Sequence, residues 1–346
     1  MPYTKSTHKV EIVPIELEKH PNADSLSIIR IWGYQVVVKT EEWKNVKIGA
    51  YIVTDSVVPD TKQFEFLGDN KRIRVRRFRG VLSQGMLIPA PEGSRVGDDV
   101  GELLGITRYE PKEPLDGGGE DLPEPPGFRP KYDVDAWERY RHLFIDGEQV
   151  AVTEKLHGAN ARFAFIEGQF YCGSRKVWKK LDVNNLWWKC FEKNEWIKVF
   201  LEDYPEITIF GECFGNVQEL KYGALKNDYF FRAFDLWDNK DGKFLSWEKV
   251  KDIIIPFARD EGFWEKNKKL DSSTLSGPMS SLWVPILYEG PYNEVLKNLA
   301  EGMSQVPNAY HIREGIVIQA VEERFSPEIG RIKLKVVNPT YLEKSK

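Results

Sequence analysis

A lysine that acts as a nucleophile needs surroundings that lower its pKa and a turn that leaves its amine facing a pocket. The run Glu154-Lys155-Leu156-His157-Gly158-Ala159-Asn160 offers both. An apolar, β-branched segment, Val150-Ala151-Val152-Thr153, leads into Lys155, and a glycine-containing turn follows at once. Burial and neighbouring positive charge each lower a lysine's pKa and free its lone pair for attack. Lys155 is therefore the candidate covalent nucleophile.

Further chemistry-bearing residues follow in order. They are Cys172-Gly173-Ser174-Arg175-Lys176, then Ile209-Phe210-Gly211-Glu212, then Phe231-Arg232-Ala233-Phe234-Asp235-Leu236-Trp237. Arg313-Glu314-Gly315-Ile316-Val317-Ile318 and Arg331-Ile332-Lys333-Leu334-Lys335-Val336-Val337 complete the set. A nucleotide needs a base slot, a ribose anchor, phosphate neutralisation and a metal. Phe234 offers an aromatic face for a base. Lys333 and Lys335 alternate on a predicted strand and share one face. Two cations there neutralise a reacting phosphate and, as like charges, disfavour protonation of Lys155. Phosphoryl and nucleotidyl transfers depend mainly on such positioning and charge stabilisation.

Lys155-Leu156-His157-Gly158 resembles the first motif of the covalent nucleotidyltransferases, the superfamily of ATP-dependent ligases and RNA capping enzymes, and the downstream segments fall in that superfamily's order and rough spacing. The resemblance implies that Lys155 attacks the α-phosphorus of a nucleoside triphosphate. It implies nucleotide contacts from Glu154, at the adenine edge, and from Leu156, His157 and Asn160. It places Arg175 and Glu212 at the ribose and phosphates, and makes Glu314, with Glu212, the carboxylates for Mg2+ or Mn2+. Magnesium keeps several waters, so few protein carboxylates suffice. His157 departs from the commoner aspartate. Together with Asn160 it resembles the version found in nick-sealing RNA ligases.

The elements that position these residues divide at 107–131, a stretch rich in Pro, Gly and acid that reads as a linker or extended strap. Ahead of it, in 1–106, strand-like runs at Leu26–Trp32, Tyr34–Lys39, Ala50–Thr54, Arg72–Phe78 and Gln84–Pro89 predict a small all-β barrel, with the OB-fold as the natural candidate. His20-Pro21-Asn22-Ala23-Asp24-Ser25-Leu26 and Gly80-Val81-Leu82-Ser83-Gln84-Gly85-Met86 resemble elements of tRNA-binding OB domains. Arg72, Arg74 and Arg76 alternate with Ile73 and Val75, which on a strand sets three guanidiniums on one face. Such a face suits an RNA backbone. An edge strand charged against aggregation has the same pattern.

Beyond the strap, in 132–346, a short helix is expected at Tyr132–Leu143. Strands are expected at Glu148–Glu154, Arg162–Ile166, Ile207–Glu212, Tyr229–Trp237, Ile316–Val321 and Arg331–Val337, with helices near Asn184–Leu201, Ser246–Arg259 and Tyr292–Glu301. Strands mixed with packed helices give an α+β nucleotidyltransferase domain, so the chain is multidomain. It resembles a fold of ATP-grasp-like mixed sheets that cradle ATP, with Trp187-Trp188 packing a helix on the sheet.

With 346 residues, 41% hydrophobic and 29% charged, the chain reads as soluble and globular. Its apolar runs are too short for a bilayer, and the N-terminus lacks a signal peptide's apolar core. Cys172, Cys190 and Cys213 have no metal-ligand spacing, which suggests a reducing, cytoplasmic compartment. A net charge of −4 requires any nucleic-acid site to be local.

Domain order selects among relatives. DNA ligases and capping enzymes of the superfamily carry an OB domain after the last motif, and here only eleven residues follow Lys335. The arrangement resembles ATP-dependent RNA ligases with an N-terminal OB domain. That resemblance implies lysyl-AMP and RNA-adenylate intermediates, and repair of nicked duplexes or RNA–DNA hybrids with RNA on the 3′-OH side, by a monomer. The alternatives are a GTP-dependent capping-type guanylyltransferase, a DNA ligase, and a non-catalytic RNA-binding module.

Overall fold

Short runs of alternating apolar residues build the N-terminal part as antiparallel strands in the computed structural model, which describes residues 7–110, 117–127, 129–130, 132–259 and 282–344. Two units emerge. One joins the described parts of 4–111 to 137–140 and the C-terminal residues from 342. The other comprises the described parts of 112–136 and 141–341.

In the first unit, β1 (Val10–Pro14) pairs with β4 (Ile48–Ile52), and β4 pairs with β7 (Met86–Pro89). Strands β2 (Leu26–Ile31) and β3 (Tyr34–Lys39) form a hairpin, as do β5 (Arg76–Phe78) and β6 (Val81–Ser83). Side chains of opposite parity on β4 enter different cores. Ala50 and Ile52 join Val10, Ile12 and Phe64, while Tyr51 joins Val13, Ile29 and Val36. The short helix Trp137–Tyr140 belongs to this unit: Arg139 pairs with Glu11 and lies 4.2 Å over the Trp32 ring. Glu343 pairs with Arg77.

The sequence predicts one strand over Arg72–Phe78, but the regular strand is only β5. Arg72 bonds Asp55 at 2.7 Å and stacks 3.8 Å over Tyr109. These partners pull it out of the alternation, so Arg72, Arg74 and Arg76 do not share one strand face. Strand β1 was not anticipated.

Besides the two-stranded pair of Phe325–Ser326 with Gly330–Arg331, the second unit holds two larger sheets. The larger has the order β8 (Asp121–Leu122), β13 (Trp178–Lys179), β12 (Gln169–Ser174), β11 (Ala159–Ile166), β14 (Ile207–Gly215), β15 (Tyr229–Asp238), β16 (Lys243–Phe244). The smaller has the order β9 (Asp135–Ala136), β19 (Lys333–Val337), β18 (Gly315–Ala320), β10 (Gln149–Lys155), β17 (Ile286–Pro291), with β9 parallel to β19. Part of the Pro/Gly-rich stretch thus forms the edge strand β8, and Arg129 within it is buried and donates to Thr208 Oγ1 at 3.1 Å. Residues 111–116, 128 and 131 of that stretch lie outside the described residues.

The helix expected over Asn184–Leu201 is two, α1 (Leu186–Lys193) and α2 (Trp196–Asp203). Asn185 caps α1 by accepting from Trp187 N. Buried Asn194 ends it, donating to Tyr229 O at 3.0 Å and accepting from Phe231 N at 3.1 Å. Those bonds to β15 replace the bonds that a continuous helix would make. Trp187 and Trp188 are buried, and the Trp187 indole donates to Asn160 O at 3.0 Å, so they pack the helix on the sheet as expected. Helix α3 (Trp247–Arg259) is also as expected. The segment expected as a helix at Tyr132–Leu143 holds β9, the four-residue helix and a 3-10 turn, and Glu294–Ala300 is 3-10. Strands β12 and β17 were missed.

Candidate active site around Lys155

Strand β10 delivers Lys155 to the end of a sheet whose register decides what shares its face. Lys155 pairs with Gly315, Thr153 with Val317 and Ala151 with Gln319 on β18. In turn Gly315 pairs with Val337, Val317 with Lys335 and Gln319 with Lys333 on β19. Lys155, Lys333 and Lys335 therefore point from one face of the sheet. The glycines of the motifs follow from close packing. A Cβ on Gly158 would collide with Cys213 O of β14, and one on Gly315 with Val336 O of β19.

The Lys155 amine donates to Glu314 Oε1 at 2.6 Å. Burial lowers its pKa, but Glu314 and Glu212 raise it more, and the ammonium ends above the usual lysine range. The sequence reading expected the reverse, with Lys333 and Lys335 lowering it. The reason for the difference is that two carboxylates stand at the amine, while Lys333 is committed elsewhere. Burial pushes Glu212 up to about 7, with Lys155 opposing and Glu314 adding to the rise. Glu314 is held below the usual carboxylate range, because Lys155 and His157 outweigh its burial.

His157 sits between acids. Its Nε2 is 2.9 Å from Glu219 Oε2, and its Nδ1 is 3.0 Å from Tyr341 Oη and 3.6 Å from Glu314 Oε2. Burial lowers its pKa, but bonds to these carboxylates raise it above the usual imidazole value. Asn160 lies opposite Glu212 across the β11–β14 ladder. Its Oδ1 is buried without a hydrogen-bond partner among the described residues, and Glu314 Oε2 has only the longer approach of His157 Nδ1 at 3.6 Å. Under-satisfied acceptor oxygens beside two carboxylates suit a hard divalent cation that keeps most of its water. Among the described residues no group of three or more His, Cys, Asp and Glu side chains is arranged to hold a metal ion.

Phe234 is bulged. Phe210 pairs with Asp235 and Gly211 with Ala233, which leaves Phe234 without a cross-strand partner and re-aims its ring. The ring lies 4.7 Å from that of Tyr132. Lys333 is buried and donates to Asp235 Oδ2 at 2.8 Å and to Phe234 O at 3.1 Å. Arg331 and Tyr132 bond the same Oδ2 at 2.5 and 2.8 Å. Burial lowers the Lys333 pKa, and Asp235 only partly offsets it. Lys335 is half-buried on the shared face, and Leu156 is in the core.

Two expected residues have other engagements. Glu154 is buried, accepting from Ser304 Oγ at 2.5 Å and Gln305 N at 2.7 Å, so both its oxygens serve the 304–305 loop. Arg175 lies 3.7 Å from Asp133.

Glu212 permits a stability prediction. Its folded pKa lies above the unfolded value, so the folded state binds the proton more tightly. That stabilisation is full below about pH 4 and is lost as pH rises through about 7. Glu212→Gln removes the charge penalty, and its partial exposure keeps the gain to about 1–2 kcal/mol. Thermal melts at pH 8 are expected to show the variant more stable than the wild type, and melts at pH 4 to show no advantage. An equal shift at both pH values would contradict the burial argument.

A family model for RNA ligases matches residues 148–337, more than half of the 346 residues. The chain belongs to the RNA ligase family. An OB-fold domain model matches residues 9–90 of the ligase. Among solved structures, a Naegleria gruberi RNA ligase lysine mutant with ATP and Mn is 24% identical, with a TM-score of 0.79, covering 97% of the ligase and 98% of that chain. A glutamate mutant of the same protein with AMP and Mn is also 24% identical, with a TM-score of 0.79, covering 98% and 99%. A search of curated proteins gives no match. The fold of the ligase is thus an N-terminal OB-fold barrel with a C-terminal α+β domain. No helix among the described residues is long and apolar enough to cross a membrane.

Sequence reasoning did not single out Asp235, Arg331, Glu219 or Tyr222. Asp235 and Arg331 lie inside segments it quoted, and a charge beside each motif position was the available signal. Glu219 and Tyr222 lie in a loop with no signature.

Proposed function

We propose that the chain is an ATP-dependent RNA ligase that works through lysyl-AMP and RNA-adenylate intermediates. The observation that carries the proposal is the Lys155 amine at the end of β10, bonded to Glu314 and sharing a sheet face with Lys333 and Lys335. Nζ of Lys155 attacks the α-phosphorus of ATP. The ammonium first loses one proton to solvent to free its lone pair, the N–P bond then forms as the bond to pyrophosphate breaks, and the nitrogen sheds a second proton to solvent. Because the resting amine donates to Glu314, that pair must open before attack. The 5′-phosphate of an RNA end then displaces the lysine and takes the AMP. A 3′-hydroxyl attacks that activated phosphate, forming the phosphodiester and releasing AMP.

In this reading Phe234, re-aimed by its bulge, stacks on adenine, while Glu154, Leu156, His157 and Asn160 shape the nucleotide slot. Arg175 and Glu212 serve the ribose and phosphates. Lys333 and Lys335 neutralise the phosphates. Glu314 and Glu212 would hold Mg2+ or Mn2+, which would supply Lewis-acid charge at the α-phosphate. ATP and Mn accompany the Naegleria gruberi ligase with which the chain shares its fold.

The proposed substrate is a nicked duplex or RNA–DNA hybrid with RNA on the 3′-OH side, and the proposed role is RNA repair. His157 in the Lys-Leu-His-Gly motif supports this. The basic segment Lys71–Arg79 of the barrel, with Arg74 and Arg76 beyond the engaged Arg72, is the proposed RNA-backbone contact. The proposed division is an OB-fold domain at 1–106, a strap at 107–131 and an adenylyltransferase domain at 132–346, of which 137–140 and the residues from 342 pack in the barrel unit. The enzyme is proposed to act as a monomer in a reducing, cytoplasmic compartment, a reading that the three buried free cysteines support.

The test is covalent labelling. Protein stripped of AMP is incubated with α-labelled ATP or GTP and Mg2+ or Mn2+, denatured and peptide-mapped. AMP on Lys155 that added pyrophosphate removes is the expected result. GMP labelling would assign a capping reaction, and no label from either nucleotide would remove the catalytic reading.

A further inference from the structure

The turn that follows the nucleophile is held by a loop that no motif includes. After β14 the chain runs through Asn216-Val217-Gln218-Glu219-Leu220-Lys221-Tyr222-Gly223 and returns to the Leu156–Gly158 turn. Three of its side chains bond that turn at three different points. Tyr222 Oη accepts from the backbone N–H of His157 at 2.7 Å. Gln218 Nε2 donates to the carbonyl of Gly158. Glu219 Oε2 lies 2.9 Å from His157 Nε2. We propose that Gln218, Glu219 and Tyr222 form a bracket that positions the Lys155 turn for nucleotidyl transfer. The inference rests on the reading of Lys155 as the nucleophile.

The backbone of the bracket supports this. Tyr222 adopts φ 52°, a left-handed conformation that is costly for an aromatic residue, and Gly223 follows at φ 75°. A strained conformation persists only where its surroundings over-determine it, and such residues cluster at active sites. Here the surroundings are specific. A Cβ on Gly223 would stand 2.7 Å from Asn308 O, so the chain is pressed against that carbonyl. The Tyr222 ring is buried and meets Phe214 and His311 edge to face, with centroids 5.0 and 4.5 Å away. The ring is locked, so its hydroxyl is fixed in space. The residue it holds, His157, is two positions from Lys155, which puts the turn in register with the amine. Bonds to a donor N–H, a carbonyl and an imidazole leave the turn little freedom to rotate.

Such residues act on geometry, so their loss should lower the rate of the chemical step more than the binding of ATP. A misplacement of about 1 Å can cost on the order of a hundredfold in rate. The test uses full-length, AMP-free protein in single-turnover labelling with ATP and Mn2+ over a range of ATP concentrations, alongside thermal melts. Tyr222→Phe keeps the ring packing and removes only the acceptor. The expected result is a maximal labelling rate at least about tenfold lower, with half-saturating ATP within about threefold of the wild type. Gln218→Ala and Glu219→Ala are expected to lower the same maximal rate, with Glu219→Gln recovering part of it. Rates within twofold of wild type for Tyr222→Phe and Gln218→Ala would overturn the bracket. So would losses that merely track the melting temperature. If wild-type protein carries no AMP on Lys155, the nucleophile reading fails and the bracket falls with it. If wild type labels normally and the variants match it, the bracket alone fails.

Discussion

Lys155→Ala protein is expected to fold and to incorporate no AMP from ATP, a loss of at least about 10^4-fold in labelling, because no other amine stands in for a removed covalent nucleophile. Survival of the fold follows from the site. Lys155 is partly exposed at the end of β10, so its removal opens no closed cavity in the core. Glu314 keeps the approach of His157, and burial already raises the Glu212 pKa, so its charge is readily neutralised once Lys155 is gone. Intact protein mass after incubation with ATP and Mn2+ measures the first step, and a melting curve measures the fold. An unchanged mass gain of one AMP in the variant would refute Lys155 as the nucleophile. RNA carrying a preformed 5′-adenylate provides a second reading, since the last step does not need the lysine nucleophile. Residual sealing of that substrate is expected.

Asp235→Ala should strike both stability and chemistry. Its carboxylate receives Lys333, Arg331 and Tyr132 on one oxygen. Deleting one member of a buried ionic network leaves uncompensated charge, which costs about 3–5 kcal/mol. Arg331 retains Glu323, but Lys333 loses its only anionic partner among the described contacts. A melting temperature lower by roughly 10 °C is expected. The first step should fail as well, because Lys333 is no longer oriented on the face that carries Lys155. The sign of the pH dependence follows from the carboxyl. Burial raises its pKa, but Arg331 and Lys333 hold it below the usual range. Its contribution is therefore present above about pH 4 and fades as pH falls through the depressed folded value. The gap in melting temperature between wild type and variant should be full at pH 7 and shrink below pH 4. A constant gap down to pH 2 would argue that packing, not charge, is what Asp235 supplies. Lys333→Ala provides the contrast: Asp235 keeps Arg331 and Tyr132, so the stability loss is smaller, while AMP transfer is still expected to be lost.

The legible part of this site was the part written locally. Lys155 and Glu314 sit at strand ends and Lys333 and Lys335 on an alternating strand, where residue type and period state the face, while Glu212 and Phe234 lie inside long buried strands and stand out by residue type alone. Register then brings Lys155 and the two lysines together as alternation requires. What sequence did not state was which charge meets which. The Lys155–Glu314 pair spans 159 positions, and it reverses the expected direction of the lysine's pKa. Arg72 obeys Tyr109 and Asp55 instead of the strand period. Asn194, an unremarkable polar residue within a helical pattern, breaks a helix because β15 offers it better partners. In each case a long-range partner outweighs local propensity.

The barrel unit is drawn from three separate stretches of chain, and this constrains inheritance. Arg139 answers to Glu11 from 128 positions away, and Glu343 to Arg77 from 266. A recombination event that replaces the first 106 residues keeps the foreign barrel's own interior but mismatches both clasps. Change at Glu11 or Trp32 is therefore expected to accompany change at Arg139. The N-terminal barrel is expected to travel through descent as a lineage-specific set, with paired changes at these distant positions, instead of as an interchangeable cassette.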